Sequence, residues 1–193
     1  MFLKEMDKAK PVHMIGIGGI SMSGIAEILL SMGYTVTGSD SHLSEITERL
    51  EKNNIKVYNG QRAENVIGAG IVVYTAAIKP DNPELSKARE LNIPTIERSE
   101  FLGELTKLYS ETIAVSGTHG KSTTTSMISL IFMEALKDPT IQVGADLKQL
   151  NGTNYRIGNS PYFIVEACEY VESFLKFSPK TAIILNIEED HLD

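Results

Sequence analysis

Residues 112–136 place the strongest constraint on the fold, because they join a short apolar run to a helical pattern through a glycine-containing turn. The apolar run at 112–115 predicts a strand, and the apolar spacing over 127–136 predicts a helix. Glycines let the backbone bend until several N–H groups point at one anion, and a helix N-terminus adds positive potential. This order predicts a phosphate-binding loop; the alternative is a tight turn that binds no ligand.

The turn is a short variant of the common nucleotide-binding pattern. Val115 stands five residues before Gly120, where the common pattern has a glycine, so the loop reads Gly-Thr-x-Gly-Lys-Ser. Lys121 would supply a charge for the outer phosphates of a nucleotide, and the Ser122 hydroxyl can ligate Mg²⁺. The loop therefore predicts a nucleoside triphosphate and Mg²⁺.

Composition excludes several classes of protein. The net charge of -7 argues against a nucleic-acid binder, and 42% hydrophobic residues in a chain of 193 are enough for one or two modest cores. Cys168 is the one cysteine, so no internal disulfide forms, which fits a reducing compartment. Residues 1–10 lack the apolar core of a signal peptide, and no apolar stretch approaches the ~20 residues of a membrane span. We expect a cytoplasmic protein that binds neither nucleic acid nor membrane.

Strand-like and helix-like patterns alternate along the first half of the chain. Asn82 and Pro83 mark the start of one helix, as an N-cap and a first helical residue. Short β-branched or apolar runs predict the strands, which lie at 12–16, 34–38, 55–58, 71–74 and 93–96. Such alternation predicts a parallel sheet with helices on its faces.

A second series of patterns begins near Thr112. The apolar runs at 162–165 and 182–185 are typical of buried parallel strands, and residues 151–161, rich in Gly and Asn, predict a loop. We predict an α/β fold: a Rossmann-like parallel-sheet domain at 1–107, then part of a P-loop ATPase domain at 108–193. Because the strand pattern stops near the last residues, we expect the second sheet to be incomplete in this chain.

A second glycine-rich loop follows the first predicted strand at 16–24. It has the glycine spacing of a dinucleotide fingerprint, except that Ser21 replaces the third glycine. Asp40 ends the second predicted strand, where such folds place the acid that binds ribose. The loop predicts a diphosphate site; the alternatives are a turn without a ligand and a nicotinamide or flavin site. Two phosphate loops in tandem domains predict two phosphorylated ligands.

Acidic and histidine residues follow the late strands. Glu166 ends one apolar run, and Asp190 and His191 follow the other. Ligands of open α/β sheets bind at the carboxyl ends of the strands, which is also where the phosphate loop lies. An acid there can hold Mg²⁺. Cys168 lacks a matching histidine and orienting acid, so we do not expect a nucleophile.

Taken together, these motifs resemble the Mur ligase family. The blocks that carry the resemblance are Ile-Gly-Ile-Gly-Gly-Ile-Ser-Met-Ser-Gly at 15–24 with 25–29, Gly-Ser-Asp at 38–40, residues 117–125, Glu-Ala-Cys-Glu-Tyr at 166–170 with 173–175, and Asn-Ile at 186–187 with Asp-His-Leu-Asp at 190–193. Family members have a UDP-substrate domain, a central ATPase domain and a C-terminal domain. The resemblance implies that this chain supplies the first and part of the second.

The resemblance also implies a reaction. ATP would phosphorylate the carboxylate of UDP-N-acetylmuramate, and the amino group of L-alanine would attack the acyl phosphate to form an amide. Phosphoryl transfer of this kind depends mostly on positioning and electrostatics. The cofactors implied are ATP and Mg²⁺. We expect the chain to be inactive alone, because closure over ATP needs the C-terminal domain.

Site residues carry over from the family by motif position. The UDP-substrate would be bound by Gly16, Gly18, Gly19, Ser21, Met22, Ser23, Asp40, Thr75 and Ala76. ATP would be bound by Gly117, Thr118, His119, Gly120, Lys121, Ser122 and Thr123. Lys121, Glu166 and His191 would be catalytic, and Ser122, Glu166 and His191 would hold metal. Ser21, Gln61 and Ser122 depart from the Gly, His and Thr of many relatives; glutamine can hydrogen-bond uridine but carries no charge.

Three alternatives stay open at this stage. The murein peptide ligases of cell-wall recycling share a similar ATPase core and add a peptide instead of free L-alanine. A regulatory nucleotide-binding module would bind no UDP-sugar. An NAD-dependent oxidoreductase would use the first glycine loop, but the second phosphate loop disfavours it.

Overall fold

The computed structural model describes residues 2–168 and 174–188. The chain divides into two compact units, one formed by Glu5–Phe101 and the other by Met1–Lys4 with Leu102–Asp193. Both are built on a largely parallel sheet that carries helices, so the predicted α/β class is confirmed. The domain boundary at 107/108 stays a prediction.

The first unit contains a five-stranded parallel sheet. Its strands are β1 (Val12–Ile15), β2 (Val36–Asp40), β3 (Lys56–Asn59), β4 (Ile71–Tyr74) and β5 (Thr95–Glu97), in the order β3-β2-β1-β4-β5. The central strand β1 is fully buried. After β3 the chain returns to the other side of β1, and this change of direction is where open α/β sheets leave a crevice for a ligand.

Helices α2, α3, α4 and α6 follow strands as the sequence patterns predict, whereas α1 and α5 were not predicted. They are α1 (Phe2–Glu5), α2 (Ile20–Ser31), α3 (Glu45–Lys52), α4 (Pro83–Glu90), α5 (Arg98–Thr106) and α6 (Lys121–Glu134). The predicted start of α4 is confirmed: Asn82 Oδ1 accepts hydrogen bonds from the backbone N–H groups of Glu84 and Leu85, with Pro83 as the first helical residue. Among the described residues, no helix is long and apolar enough to cross a membrane.

The second unit contains a mixed five-stranded sheet. Its strands are β6 (Glu111–Ser116), β7 (Thr140–Leu147), β8 (Thr153–Arg156), β9 (Tyr162–Glu166) and β10 (Thr181–Ile184), in the order β10-β6-β9-β7-β8. All pairings are parallel except that of β7 with β8. Helix α6 packs on β6, β7 and β9. The loop between β6 and α6 therefore lies at the carboxyl edge of the parallel strands.

Two sequence-based predictions for the second unit are wrong. The predicted loop at 151–161 contains β8, which pairs with β7 after a turn where Asn151 and Gly152 have φ of 58° and 75°. The residues of β8, Thr-Asn-Tyr-Arg, are polar, so no apolar run marks this strand. Strand β7 was not predicted either. The run at 182–185 is not buried either: β10 is the edge strand of the described sheet, and Ile184 is 65% exposed.

Candidate functional site

The first glycine loop connects β1 to α2 and is held by the end of β2. Gly16 has a φ of +80°, and the N–H groups of Gly16 and Ile17 donate to the carbonyl oxygen of Ser39 at 2.8 and 3.0 Å. The Gly18 N–H donates to Asp40 Oδ2 at 2.9 Å, and a Cβ on Gly18 would lie 2.8 Å from that oxygen. Gly18 is therefore a glycine because the Asp40 carboxylate occupies the space beside it.

Asp40 has a structural task that the sequence did not indicate. Besides Gly18, the N–H of His42 donates to its carboxylate, at Oδ1 and 3.1 Å. Two backbone N–H groups thus fix the carboxylate at the end of β2, and the carboxylate in turn fixes the loop. Its predicted contact with the UDP-substrate stays a prediction.

The predicted site residues of α2 differ in what they expose. Met22 and Ser23 are buried, and the Ser23 hydroxyl donates to the Ile20 carbonyl at 2.8 Å. Both side chains are therefore inaccessible to solvent, so a diphosphate at this helix would meet backbone N–H groups. Ser21 is partly buried, and its Oγ accepts a hydrogen bond from Arg98 Nη1 at 3.1 Å.

Arg98 contacts the first loop through Ser21, and the sequence did not reveal this contact. It begins α5, directly after β5, and lies 77 positions from Ser21 in the chain. Only the sheet order brings the end of β5 and the start of α2 to one edge. Arg98 supplies the first loop with the positive charge that its own sequence lacks.

A buried polar network lies beneath the first loop. Glu84 is fully buried at the start of α4, where the Ser39 hydroxyl and the Asn65 side-chain amide each donate to its carboxylate at 2.6 Å. His13 Nε2 lies 3.6 Å from the same carboxylate. Burial alone would raise the pKa of Glu84, but the hydrogen bonds from Ser39 and Asn65 and the nearby His13 imidazole hold it below its usual range. The network therefore keeps an ionised carboxylate under Ser39, whose carbonyl holds the loop.

The residues predicted on the uridine side follow β3 and β4. Thr75 is partly buried and Ala76 is exposed just after β4, and Gln61 lies two residues beyond the end of β3. Asn82 Nδ2 donates to Gln61 Oε1 at 2.5 Å. All three residues therefore lie at the carboxyl edge where the first loop lies.

The second glycine loop connects β6 to α6. Gly117 and Gly120 have φ of +140° and +82°, a backbone conformation that other residues adopt only with strain. Lys121 Nζ donates to the carbonyls of Gly117 and Thr118 at 2.7 and 3.0 Å. The ammonium group thus lies over its own loop.

Residues 186–188, which follow β10, hold the second loop. Asn186 Oδ1 accepts from the His119 N–H at 2.9 Å, and Asn186 Nδ2 donates to the His119 carbonyl at 3.1 Å. The Glu188 N–H donates to Thr118 Oγ1 at 3.1 Å, and that hydroxyl donates back to the Glu188 carbonyl at 3.2 Å. These hydrogen bonds fix Thr118 and His119, in the middle of the loop. The sequence pointed to Asn186 as part of a motif but gave it no role.

The predicted metal ligands fall partly within the described residues. Glu166 ends β9 and pairs in register with Val115 of β6, so its carboxylate lies at the edge that carries the second loop. Glu166 Oε2 accepts from the Gly144 N–H at 2.8 Å. Ser122 lies in the first turn of α6 and is partly buried. Asp190 and His191 lie outside the described residues.

The donors at this edge suit Mg²⁺. A hydroxyl oxygen and a carboxylate oxygen are hard ligands, and Mg²⁺ commonly takes one or two carboxylates and completes its shell with substrate phosphates and water. Within residues 2–168 and 174–188, no three His, Cys, Asp or Glu side chains cluster in the manner of an all-protein metal cage. The described donors therefore fit a cation held together with a nucleotide.

Comparison with known proteins finds a model of one protein family in each half of the chain. Residues 11–110 match the Mur ligase family, catalytic domain, and residues 115–193 match the Mur ligase middle domain. The chain is 61% identical over 189 residues to the UDP-N-acetylmuramate–L-alanine ligase of Acetivibrio thermocellus, covering 98% of this chain and 40% of that protein. It is 62% identical to the same-named ligase of Clostridium kluyveri, covering 96% and 41%.

Solved structures agree with the curated relatives. A UDP-N-acetylmuramate–alanine ligase from Thermotoga maritima superimposes with a TM-score of 0.88 at 37% identity, covering 95% of this chain and 42% of that one. A ligase of UDP-N-acetylmuramate and L-alanyl-gamma-D-glutamyl-meso-diaminopimelate from Neisseria superimposes with a TM-score of 0.85 at 29% identity, covering 95% and 62%. The chain thus spans about 40% of the length of the curated relatives described above.

Proposed function

Because the chain belongs to the Mur ligase family, we propose that it forms part of an enzyme that uses ATP to join L-alanine to the carboxylate of UDP-N-acetylmuramate. The observation that carries the proposal is the pair of glycine loops, each between a strand and a helix N-terminus and each in its own unit. Two phosphorylated substrates need two such sites. The 61% identity to an L-alanine ligase supports the choice of this reaction within the family.

In the second unit, we assign ATP binding to the loop after β6. Gly117, Thr118, His119, Gly120, Lys121, Ser122 and Thr123 would surround the phosphates, with N–H groups of the loop and of the start of α6 as donors. Lys121 would leave the carbonyls of Gly117 and Thr118 and pair with the outer phosphates. That exchange places a full positive charge where the transferring phosphoryl group carries negative charge.

We assign metal binding to Ser122, Glu166 and His191, of which the last lies outside the described residues. Bound there, Mg²⁺ would neutralise the charges that ATP and the muramoyl carboxylate bring together. The Ser122 hydroxyl would bind from the start of α6, and Glu166 from the end of β9. Lys121, Glu166 and His191 are therefore our proposed catalytic residues.

In the first unit, we assign the UDP-substrate to the loop after β1. Gly16, Gly18 and Gly19 would shape the turn, and backbone N–H groups of the first turn of α2 would face the diphosphate, with Arg98 as the cation. Because the N–H groups of the three glycines already donate to Ser39, Asp40 and Gly16, the ligand would depend on the donors of α2 and on Ser21. Thr75, Ala76 and Gln61 would line the uridine side.

The assignments imply how the chain behaves alone. We propose a UDP-sugar-binding domain at 1–107 and part of an ATP-binding domain at 108–193, in a bacterial cytoplasmic enzyme of peptidoglycan precursor synthesis. Binding of L-alanine and closure over ATP would depend on the part of the relatives' length that this chain does not span. We expect the isolated 193-residue chain to bind UDP-N-acetylmuramate and to form no detectable amide.

The test is calorimetry of the chain with UDP-N-acetylmuramate. We expect Arg98→Ala to weaken binding about 10-fold, the loss of one charge-assisted contact. Arg89→Ala, which removes the same charge from an exposed site on α4, should leave it unchanged. Absence of UDP-sugar binding would favour a regulatory nucleotide module, and tight binding of NAD would favour an oxidoreductase.

A second measurement distinguishes an L-alanine ligase from a murein peptide ligase. The protein with its full complement of domains should use free L-alanine in preference to the L-alanyl-gamma-D-glutamyl-meso-diaminopimelate tripeptide. Preference for the tripeptide would assign the chain to the murein peptide ligases instead.

A further inference from the structure

The ladder between β7 and β9 stops just before Glu166. The two strands pair in parallel at Thr140–Phe163, Ile141–Ile164 and Gln142–Val165. The pairing of β7 with β8 also shifts its register between Gln142 and Leu147. Beyond these pairs, the Gly144 N–H donates to a side chain, Glu166 Oε2, at 2.8 Å. A backbone donor at the end of the ladder is thus used to hold a carboxylate.

The carboxylate also occupies the space where a side chain of residue 144 would lie. A Cβ built on Gly144 would be 2.8 Å from Glu166 Oε1, 2.9 Å from Oε2 and 3.0 Å from Cδ. Real Cβ atoms do not approach oxygen so closely, so any other residue would push the carboxylate away. The φ of Gly144 is not positive, so the backbone itself would accept alanine.

From these two contacts we infer that Gly144 is a positioning residue for the Glu166 carboxylate: its N–H orients one oxygen, and its missing side chain leaves room for both. The inference rests on the proposed function, in which Glu166 holds Mg²⁺ at the edge beside the second loop. An oriented carboxylate binds a cation more tightly than a mobile one, because less freedom is lost on binding. Gly144 would thus act on the metal without touching it.

The experiment measures Mn²⁺, as a probe for Mg²⁺, on the 193-residue chain saturated with a non-hydrolysable ATP analogue. The electron paramagnetic resonance signal of unbound Mn²⁺ gives the affinity. We expect Gly144→Ala to weaken Mn²⁺ binding about 10-fold, the scale seen when a residue that orients a metal ligand is changed. Thermal unfolding should stay unchanged, because only the end of a flexible side chain has to move.

Two further variants make the result specific to Gly144. Ala145→Gly exchanges the same two residue types at the next position of β7 and should leave Mn²⁺ affinity unchanged. Glu166→Ala should lose at least as much affinity as Gly144→Ala, and the double variant should lose no more than Glu166→Ala. Affinity of the analogue without metal should be the same in all variants.

The outcomes separate the two claims. If Glu166→Ala weakens Mn²⁺ binding and Gly144→Ala does not, the positioning role is refuted and the proposed metal role of Glu166 survives. If Gly144→Ala and Glu166→Ala add independently, Gly144 acts elsewhere and the inference is also refuted. If Glu166→Ala binds Mn²⁺ like the unchanged chain, both claims fall.

Discussion

The loop after β1 is held from inside its unit, whereas the loop after β6 is held from the surface. Asp40 and the carbonyl of Ser39 hold the first loop, and Ser39 rests on the buried Glu84. The second loop is bonded to Asn186 and Glu188, which are partly or fully exposed, and its own Lys121 lies across it.

Because different contacts hold the two loops, we expect the loops to bind their ligands in different ways. The buried Glu84 carboxylate beneath the first loop is hydrogen-bonded to Ser39 and Asn65, and such groups rarely rearrange, so we expect the first loop to be organised before its ligand arrives. In the second loop Lys121 would have to exchange two carbonyls for phosphate under our proposal, and residues 186–188, which hold the loop, are open to solvent. The first loop would therefore act as a fixed receptor, and the second as a loop that adjusts to the nucleotide.

The largest expected effect is on the base of the first loop. Glu84→Ala would leave His13, Ser39 and Asn65 without their shared buried partner. Removal of one partner from a buried charged group typically lowers the free energy of unfolding by about 3 kcal/mol. Urea unfolding followed by circular dichroism should show that loss. Glu90→Ala, on the exposed side of α4, should change stability by less than about 0.5 kcal/mol. Equal effects would show that the buried Glu84 gives the base of the first loop no special support.

The same carboxylate gives the fold a pH dependence. The pKa of Glu84 is lowered in the folded chain from its ordinary value of 4.5, so its stabilisation is complete above that pH and is lost as the pH falls through the lowered value. Glu84→Gln should therefore flatten the loss of stability below pH 4.5. An unchanged acid profile of urea midpoints would contradict this.

A smaller effect is expected at the lysine of the second loop. Lys121→Ala should weaken binding of an ATP analogue about 100-fold, the worth of one or two charge-assisted hydrogen bonds to phosphate. Fluorescence titration with a labelled analogue measures the affinity. Lys137→Ala, an exposed lysine beyond the end of α6, serves as the matched control. A loss below threefold would mean that Lys121 stays on its own carbonyls.

The next effect concerns the carboxylate that holds the first loop. Asp40→Ala would free the N–H groups of Gly18 and His42 and let the loop move, so we expect UDP-N-acetylmuramate to bind about 10-fold more weakly. Calorimetry gives the affinity, with the exposed Asp81→Ala as control. Tighter binding in Asp40→Ala would show that the loop is not organised in advance.

The smallest effect is expected from the exposed residues that hold the second loop. Asn186→Ala removes two hydrogen bonds to the backbone of His119, and because solvent can replace them, ATP-analogue affinity should fall only about fivefold. Gln149→Ala, an exposed amide of the same unit, should have no effect. A loss as large as that of Lys121→Ala would show that the second loop is as rigidly supported as the first.

Local sequence patterns were sufficient for most elements and both glycine loops. Apolar runs marked β1, β4, β6 and β9, and the Asn82-Pro83 signal gave the start of α4, because these features depend on neighbours in the chain. Strand β8 was not predicted because its residues are polar, and because among the described strands it pairs with β7 alone, at the sheet edge. Strand β10 shows the converse, since an apolar run does not ensure burial.

The supports of the sites could not be predicted, because each joins distant parts of the chain. Arg98 meets Ser21 across 77 positions and Glu84 meets Ser39 across 45, and nothing in either segment alone points to the other. Gly144 escaped for a further reason: the strand that carries it was missed, so its N–H had no predicted direction. Motifs in the sequence identify the residues expected to contact ligands. The residues that hold those motif residues in place can be identified only from the fold.

The exposed edge strand has a consequence for how this chain behaves at high concentration. Along the described sheet, β10 pairs with β6 on one side only, and Ile184 and Ile187 are 65% and 87% exposed. An apolar strand edge is a template on which a second molecule can add its own strand. We therefore expect light scattering by the 193-residue chain to rise with concentration, and Ile184→Lys to suppress the rise by placing a charge on that edge.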